Sequence, residues 1–242
     1  LIPSKIIPSE KTMFKKSQES LQAWKNRINE GNIITIERNN KIINLYPEID
    51  VNVDDDVNRH KDIESELTEF NRLGKTTKSS TMNNRFNENP ESWYYYHKLR
   101  RESMKNWEEI PYKEIAKKIT YKTDEVIDFG CGDNQFKLEI PNNKVTSVDH
   151  IACDDSVIAC DMCDLSKCVS NESHDIAVFS LSLWGVNYKD YINEAYRVLR
   201  KRGIIYIAES SKNYETIEEQ NDLKQLLNDV GFGIYDIDIR SK

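Results

Sequence analysis

The chain has 242 residues, of which 38% are hydrophobic and 31% charged, and its formal net charge is −7. A chain of this length can bury a core, and no apolar run approaches the roughly 20 residues that span a bilayer, so we expect no membrane partner. The negative net charge excludes a uniformly basic nucleic-acid-binding surface.

Residues 1–78 differ from the rest of the chain in composition. They are predicted to be an extension, or part of a neighbouring domain, in a piece of a longer polypeptide, because the chain begins with Leu1. Turn residues between alternating apolar and polar positions predict a hairpin about Asn39 and Asn40. The predicted segments are a possible helix, this hairpin, an acidic stretch without a core face and a linker: residues 17–31, 32–47, 48–66 and 74–84.

Residues 79–122 are predicted to be a helical, basic flank that serves as a lid. Aromatic residues recur at helical spacing over residues 89–107, and Pro111 suits the first position of a second helix. Eight basic and four acidic residues between Lys98 and Lys122 give a local charge of +4. This charge indicates either a solvated helix face or a flank that receives a polyanion.

Strands and helices alternate from residue 123 to residue 242. The alternation predicts an α/β fold with a parallel, doubly wound, Rossmann-like sheet covered by helices on both faces. The predicted strands are residues 125–129, 144–149, 156–161, 175–183, 203–210 and 232–239.

The stretch "DFGCGD" follows the first of these strands and precedes a helix. Gly130 permits a tight turn, and Gly132 lets the backbone approach a ligand at the carboxyl edge of the sheet. The third glycine of a dinucleotide site is absent, and the carboxylates of Asp128 and Asp133 disfavour a pyrophosphate. They suit a cationic cofactor such as S-adenosylmethionine, so Asp128, Gly130 and Gly132 are candidate cofactor-binding residues.

Acidic residues also end the next two predicted strands. Asp149 stands where an acid accepts hydrogen bonds from ribose hydroxyls, and Asp161 where one can accept the adenine amino group, with Met162 against the ring. The alternative is that these are ordinary loop acids. A glycine turn followed by three strand-end acids in order favours a cofactor site.

Five cysteines fall within 38 positions, between Cys131 and Cys168. The odd count predicts reduced thiols in an intracellular, reducing compartment. "CDMCDLSKC" contains one C-x-x-C but lacks the second pair of a zinc ribbon, and Cys153 is only a loose fourth candidate, so no metal site is predicted.

Several segments together resemble one family. "NENPESWYYYHKLRRESMKNW", "DFGCGD", "CDMCDLSKCVSNESHDIAVFSLSLWGVNY", "EAYRVLRKRG" and "IAESSKNYE" are similar to the ribosomal RNA-processing protein 8 family, also called nucleomethylin, between Ser80 and Asp238. The resemblance implies a class I S-adenosylmethionine-dependent methyltransferase that modifies N1 of an adenine in large-subunit ribosomal RNA. It also implies RNA as partner and a nuclear or nucleolar location.

The resemblance carries the family's cofactor contacts to six positions: His97, Gly130, Asp149, Asp161, Met162 and Ser180. Ser180 stands where relatives have Cys. The loop "RVLRKRG" lacks the proline and first glycine of the family pattern, and its Arg200, Lys201 and Arg202 are candidates for phosphate contact.

Methyl transfer to adenine N1 requires alignment more than a strong base, because N1 carries a lone pair at neutral pH. The [DNS]-P-P-[YFW] pattern of exocyclic-nitrogen enzymes is replaced by "LSLWGVNY". Trp184 is predicted to stack on the substrate base or to plug the core, and Asn187 to hydrogen-bond the base edge. The alternatives are another RNA or a small molecule as substrate, or a non-catalytic module that binds S-adenosylmethionine or chromatin.

Overall fold

The structure, a computed structural model, describes residues 35–38, 41–44, 53–122 and 124–238. The chain divides into two compact units, residues 1–56 and 57–242. The helix predicted over residues 17–31 lies outside the described residues.

Two short strands form a hairpin in the first unit. Strand β1 (Thr35–Arg38) pairs antiparallel with β2 (Lys41–Asn44), so that Thr35 lies opposite Asn44 and Arg38 opposite Lys41. This register leaves two residues for the connection, as the sequence suggested, although positions 39 and 40 lie outside the described residues.

In the described part of the chain, four helices precede the five-stranded sheet. They are α1 (Val53–Thr76), α2 (Ser79–Glu88), α3 (Pro90–Met104) and α4 (Pro111–Lys118). Both α3 and α4 carry proline in their first turn, where its missing N–H would have no partner in any case.

The sequence predicted an acidic stretch without a core face and a linker between residues 48 and 84. The structure differs, because α1 and α2 cover most of both segments. Leu67 and Phe70, which are about one helical turn apart on α1, pack with Tyr96 and Leu99 of α3. This apolar stripe is short and acidic residues interrupt it, so the helix could not be recognised from composition. Only two residues separate α1 from α2.

The sheet of the second unit has five parallel strands in the order β5-β4-β3-β6-β7. The strands are β3 (Glu125–Phe129), β4 (Lys144–Asp149), β5 (Val157–Ala159), β6 (His174–Ser180) and β7 (Leu199–Ala208). The chain leaves β3 toward β4 and later returns to its other side as β6. The carboxyl ends of β3, β4 and β6 therefore meet at a topological switch point, where ligands bind in open α/β sheets.

Helices cover both faces of the sheet. They include α4 and three later helices, α5 (Gln135–Glu139), α6 (Tyr188–Val198) and α7 (Ile217–Val230). Successive strand residues point to opposite faces. Ile127 and Phe129 of β3 lie in the larger core with α6 and α7, whereas Val126 lies in the smaller core with α4 and α5.

The doubly wound α/β fold predicted from the sequence is confirmed, with two differences at its last strands. Strand β7 begins at Leu199 rather than at residue 203, and its pairing with β6 is irregular between His174 and Ile176. Residues 232–238 form no strand. Phe232 packs against the larger core, but the apolar side chains after it are exposed, with Tyr235 fully exposed and Ile237 48% exposed.

Candidate functional site at the carboxyl edge of the sheet

The glycine turn follows β3 and adopts a left-handed backbone. Gly130 has φ +74° and Gly132 has φ +56°. The N–H of Gly130 donates to the carbonyl of Val148 on β4 across 2.9 Å. A Cβ at Gly132 would lie 2.7 Å from Cε1 of His97, so glycine is required both by the backbone and by this close approach.

Asp149, at the end of β4, holds three parts of the site together. Its Oδ1 accepts hydrogen bonds from the indole N–H of Trp93 and from the backbone N–H of the next residue, His150, each at 2.7 Å. Its Oδ2 accepts the N–H of Gly132 at 2.8 Å. The carboxylate therefore joins α3 to the glycine turn, and it is buried.

Asp128, on β3, is the most deeply buried carboxyl group of the site, with 2% of its surface exposed. Desolvation, assisted by the nearby charge of Asp149, raises the pKa of Asp128 to about 8. A positively charged ligand beside it would favour the ionised form and reduce this penalty.

His97 enters the site from α3 and is half-buried among aromatic rings. Its ring centroid lies 4.1 Å from that of Trp93 and 4.9 Å from that of Tyr96. Burial lowers the pKa of His97 to about 4, although Asp149 and Asp133 act in the opposite direction. The imidazole is therefore neutral at physiological pH and can donate one hydrogen bond and accept another.

These groups line one cavity of about 120 Å³. Eight of the ten residues predicted as site residues line it: His97, Asp128, Gly130, Gly132, Asp149, Met162, Ser180 and Trp184. Asp161 and Asn187 do not line it.

Asp161 is engaged by the start of α2. The hydroxyl of Ser79 lies 2.7 Å and 2.8 Å from its two carboxylate oxygens, and the N–H of Cys163 donates to Oδ1 at 3.2 Å. In this arrangement the carboxylate fastens the N-terminal helices to the loop after β5.

Asn187 contacts the same serine. Its Oδ1 accepts the backbone N–H of Ser79 at 2.9 Å, and its Nδ2 donates to Asp190 at 3.0 Å. The structure thus uses both polar atoms of the side chain within the protein, where the sequence suggested a contact with the substrate base.

Trp184 packs in the core and also borders the cavity. A Cβ at Gly74 of α1 would lie 2.7 Å from the indole, and the ring centroid of Tyr96 lies 4.8 Å away. The indole therefore packs in the core, which is one of the two roles predicted from the sequence. Trp184 also lines the cavity, so part of the residue remains accessible to a ligand there.

Among the residues that sequence reasoning missed, three bear on the chemistry of the site: Trp93 and Ser182, which line the cavity, and Glu209, which holds the loop that carries Ser182. Trp93 is one of the aromatic residues at helical spacing in residues 89–107, but no sequence pattern indicates that its N–H meets Asp149. Glu209, after β7, accepts the N–H of Leu183 at 2.8 Å. Ser182, in the stretch "LSLWG", lines the cavity, and its buried hydroxyl has no hydrogen-bond partner.

The bases of the flank are largely ion-paired. Arg101 pairs with Asp133, which lines the cavity, and the lysines pair at distances of 2.6–3.7 Å. The lysine pairs are Lys105–Glu102, Lys113–Glu139, Lys117–Glu114 and Lys118–Asp236. Exposed pairs of this kind contribute at most about 1 kcal/mol each, so incoming phosphates can compete for the bases.

The bases of the segment predicted as a loop, Arg200, Lys201 and Arg202, lie in the first half of β7 and away from the site. Arg200 pairs with Glu125, the first residue of β3, and with Asp175, the second residue of β6. Lys201 and Arg202 precede the carboxyl end of β7 by six or more residues, roughly 20 Å of strand. These bases therefore stand at the opposite edge of the sheet from the cavity.

All five cysteines are described, and none forms a disulfide. Among the described residues, no group of three or more His, Cys, Asp or Glu side chains is arranged to hold a metal ion. No described helix is both long and apolar enough to cross a membrane.

The lining of the cavity fits S-adenosylmethionine. Two buried carboxylates and a neutral imidazole suit a positively charged ligand, and the hydroxyl of Ser182 lacks a partner that a ligand could supply. The left-handed glycines keep side-chain carbon atoms away from the strand tip. The residues that would hold the cofactor are Asp128, Asp149 and His97, together with the glycine turn and Met162.

Comparison with known proteins identifies related sequences. The family described as "Hypothetical methyltransferase" matches residues 65–242. The protein named Ribosomal RNA-processing protein 8 of Arabidopsis thaliana is 38% identical over 152 residues, which are 61% of this chain and 52% of that protein. In Schizosaccharomyces pombe, the protein named "25S rRNA (adenine(645)-N(1))-methyltransferase" is 28% identical over 180 residues, 69% of this chain and 56% of that protein.

The chain spans about half the length of these two curated relatives. Among solved structures, a putative S-adenosyl-L-methionine-dependent methyltransferase of Methanococcus maripaludis has a TM-score of 0.48 and 18% identity, covering 60% of this chain and 87% of that one. The resemblance noted in the sequence is confirmed by the family match and by the names of the relatives.

Proposed function

This chain belongs to the methyltransferase family that matches residues 65–242, and we propose that it transfers a methyl group from S-adenosylmethionine to N1 of an adenine in ribosomal RNA. The observation that carries the proposal is the cavity at the switch point of the sheet, where two buried carboxylates flank a left-handed glycine turn.

The carboxylates bind and orient the cationic donor. When bound, S-adenosylmethionine supplies a methyl group on a positively charged sulfur. Asp128 and Asp149 stabilise positive charge in a cavity of low dielectric, where electrostatic attraction is stronger than in water. The cavity of about 120 Å³ is smaller than the roughly 300–1,000 Å³ of small-molecule sites, so the residues that line it must rearrange to admit the whole donor.

The residues of the cavity suit a nucleophile that needs no deprotonation. His97 is neutral and lies against Gly132 and two aromatic rings, where it shapes the wall. Adenine N1 already carries a lone pair, so alignment with the donor carbon accounts for most of the acceleration. The cavity-facing part of Trp184 is available to stack on the base. Asn187 is not proposed to bind the edge of the base, because both polar atoms of its side chain are hydrogen-bonded within the protein.

The RNA substrate is supported by the names of the relatives, one of which is a ribosomal RNA adenine N1 methyltransferase. The helical flank adds bases beside the cavity that can exchange their carboxylate partners for phosphates. A nucleolar location follows from such a substrate. The sequence placed residues 1–78 in an extension or a neighbouring domain; because α1 packs on α3, we propose that only the first compact unit, residues 1–56, belongs to such a domain of a larger polypeptide.

The test is methylation of adenine-bearing ribosomal RNA fragments with labelled S-adenosylmethionine, followed by digestion and mass analysis of the nucleosides. We expect 1-methyladenosine, and no N6-methyladenosine, with the wild-type protein and a large loss of product with Asp128→Asn. Transfer to a small molecule but not to RNA would replace the proposed substrate. Tight donor binding without transfer to any acceptor would indicate a non-catalytic module.

A further inference from the structure

Ser182 lies in a loop that the end of β7 holds in place. The N–H of Leu181 donates to the carbonyl of Ala208 at 2.8 Å, and the N–H of Leu183 donates to the carboxylate of Glu209 at 2.8 Å. Leu181 has φ +57°, a left-handed conformation that costs free energy for a branched residue. The loop therefore fixes the direction of the serine side chain between these two anchors.

The hydroxyl of Ser182 is exceptional among the described residues. It is the only buried side-chain nitrogen or oxygen atom in the described part of the chain that has no hydrogen-bond partner, and the residue is 7% exposed. Its side chain faces the glycine turn, since a Cβ at Gly130 would lie 2.6 Å from the Cβ of Ser182. A buried hydroxyl without a partner is unfavourable, which indicates that a ligand satisfies it.

The order of the strand tips indicates which part of the ligand reaches Ser182. Across the sheet the cavity is lined by Met162 after β5, Asp149 at the end of β4, Gly130 after β3 and Ser182 after β6. A nucleoside bound at β5 and β4 would leave the remainder of the donor at β3 and β6. That remainder is the sulfur and the amino-acid group.

We propose that the hydroxyl of Ser182 binds the amino-acid group of the methyl donor. The inference rests on the proposed function, because it takes S-adenosylmethionine as the ligand of the cavity. A hydroxyl can both donate and accept, so it suits a group that carries a carboxylate and an ammonium. Asp128, on the adjacent strand tip, adds negative charge beside the ammonium.

The experiment measures the affinity of the whole chain for two ligands by calorimetry. S-adenosylhomocysteine has the amino-acid group, and methylthioadenosine has the same nucleoside and sulfur without it. We expect Ser182→Ala to weaken binding of S-adenosylhomocysteine roughly tenfold, as expected for one lost hydrogen bond to a charged group, and to change that of methylthioadenosine by less than about twofold.

Two further variants serve as controls. Ser103→Ala removes the hydroxyl of another buried serine, on α3, that does not line the cavity, and should leave both affinities unchanged. Ser182→Cys keeps the volume with a weaker hydrogen-bonding group, and should give an intermediate loss. The unliganded Ser182→Ala protein should melt no lower than the wild type, because its hydroxyl has no partner to lose.

An unchanged affinity of Ser182→Ala for S-adenosylhomocysteine would overturn the inference, as would an equal loss for both ligands. If Ser182→Ala does not fold, the same comparison with Ser182→Cys decides. A wild-type protein that binds neither S-adenosylmethionine nor S-adenosylhomocysteine would instead reject the proposed function, and this inference with it.

Discussion

The indole N–H of Trp93 donates to Oδ1 of Asp149 across 2.7 Å, which joins a helix before the sheet to the tip of its second strand. Trp93 is 1% exposed, so no water replaces this donor. The bond places α3 directly over the glycine turn, and the wall of the cavity depends on it.

Replacing Trp93 with Phe should therefore lower both stability and donor affinity. The smaller ring retains part of the apolar packing but leaves the carboxylate of Asp149 without one donor, at a cost of about 1–3 kcal/mol. Urea unfolding would give the stability, and calorimetry with S-adenosylhomocysteine the affinity. Retention of wild-type values in both measurements would show that the bond is dispensable.

Asp128→Asn should stabilise the free protein while it weakens donor binding. The pKa of Asp128 is about 8 in the folded chain against an ordinary 3.8, so the folded state retains a proton that the unfolded state releases. This group therefore lowers the free energy of unfolding progressively as pH rises from about 4 to about 8. At pH 7 the variant should be more stable by an amount on the order of 1–4 kcal/mol.

The melting temperatures of the wild type and of Asp128→Asn should be compared at pH 5, 6, 7 and 8. The advantage of Asp128→Asn should grow with pH and level off above about 8. An advantage that is independent of pH would contradict burial of a neutral carboxyl group. His97 also changes the stability between pH 4 and 6.5, because burial lowers its pKa from 6.5 to about 4, but this contribution is common to the wild type and the variant and cancels in the comparison.

Donor binding should release protons near neutral pH. A cation beside Asp128 favours the ionised carboxylate, so affinity should rise by up to about tenfold per pH unit between pH 6 and pH 7.5. Calorimetry in buffers of different ionisation enthalpy counts the protons released. Asp128→Asn is the matched control, because any proton released by the ligand itself remains in that variant.

Ser79→Ala should destabilise the fold more than the substitution of its exposed neighbour, Ser80→Ala. The hydroxyl of Ser79 is buried and donates to the carboxylate of Asp161, and hydrogen bonds to charged groups contribute about 1.5–3 kcal/mol. Ser80 occupies the same helical turn and is exposed. Equal urea midpoints for the two variants would contradict a structural role of the bond between Ser79 and Asp161.

Gly132→Ala should be destabilising, and part of the cost should depend on His97. The new Cβ would meet the imidazole at 2.7 Å, and φ +56° is unfavourable for alanine. In a His97→Ala background only the backbone cost remains. The double-mutant cycle should therefore show a coupling of more than about 0.5 kcal/mol. Additive effects would mean that the imidazole moves aside without cost.

The sequence predicted the sheet and its glycine turn because their signals are local. An apolar strand, two glycines and an acid at the next strand's end suffice to place Gly130, Gly132 and Asp149 at one edge. The roles of Asp161 and Asn187 could not be read in the same way. Both side chains bind Ser79, and that contact depends on the packing of α2, more than 80 positions away in the chain.

The helix α1 was missed for a different reason. Its buried side is narrow, since Leu67 is buried while Phe70 and Leu73 are only partly so, and charged residues lie between them. The same limitation applies to Ser182, because an unsatisfied hydroxyl is a property of its surroundings and leaves no trace in residue type or spacing.

The close contact of Gly74 with Trp184 has a practical consequence for recombinant production. A shortened protein that begins at residue 79, where composition suggested a boundary, would lack α1 and would expose the indole of Trp184 and the ring of Tyr96. Exposed aromatic surface of this kind promotes aggregation. Truncations should start upstream of α1, so that this helix is expressed whole.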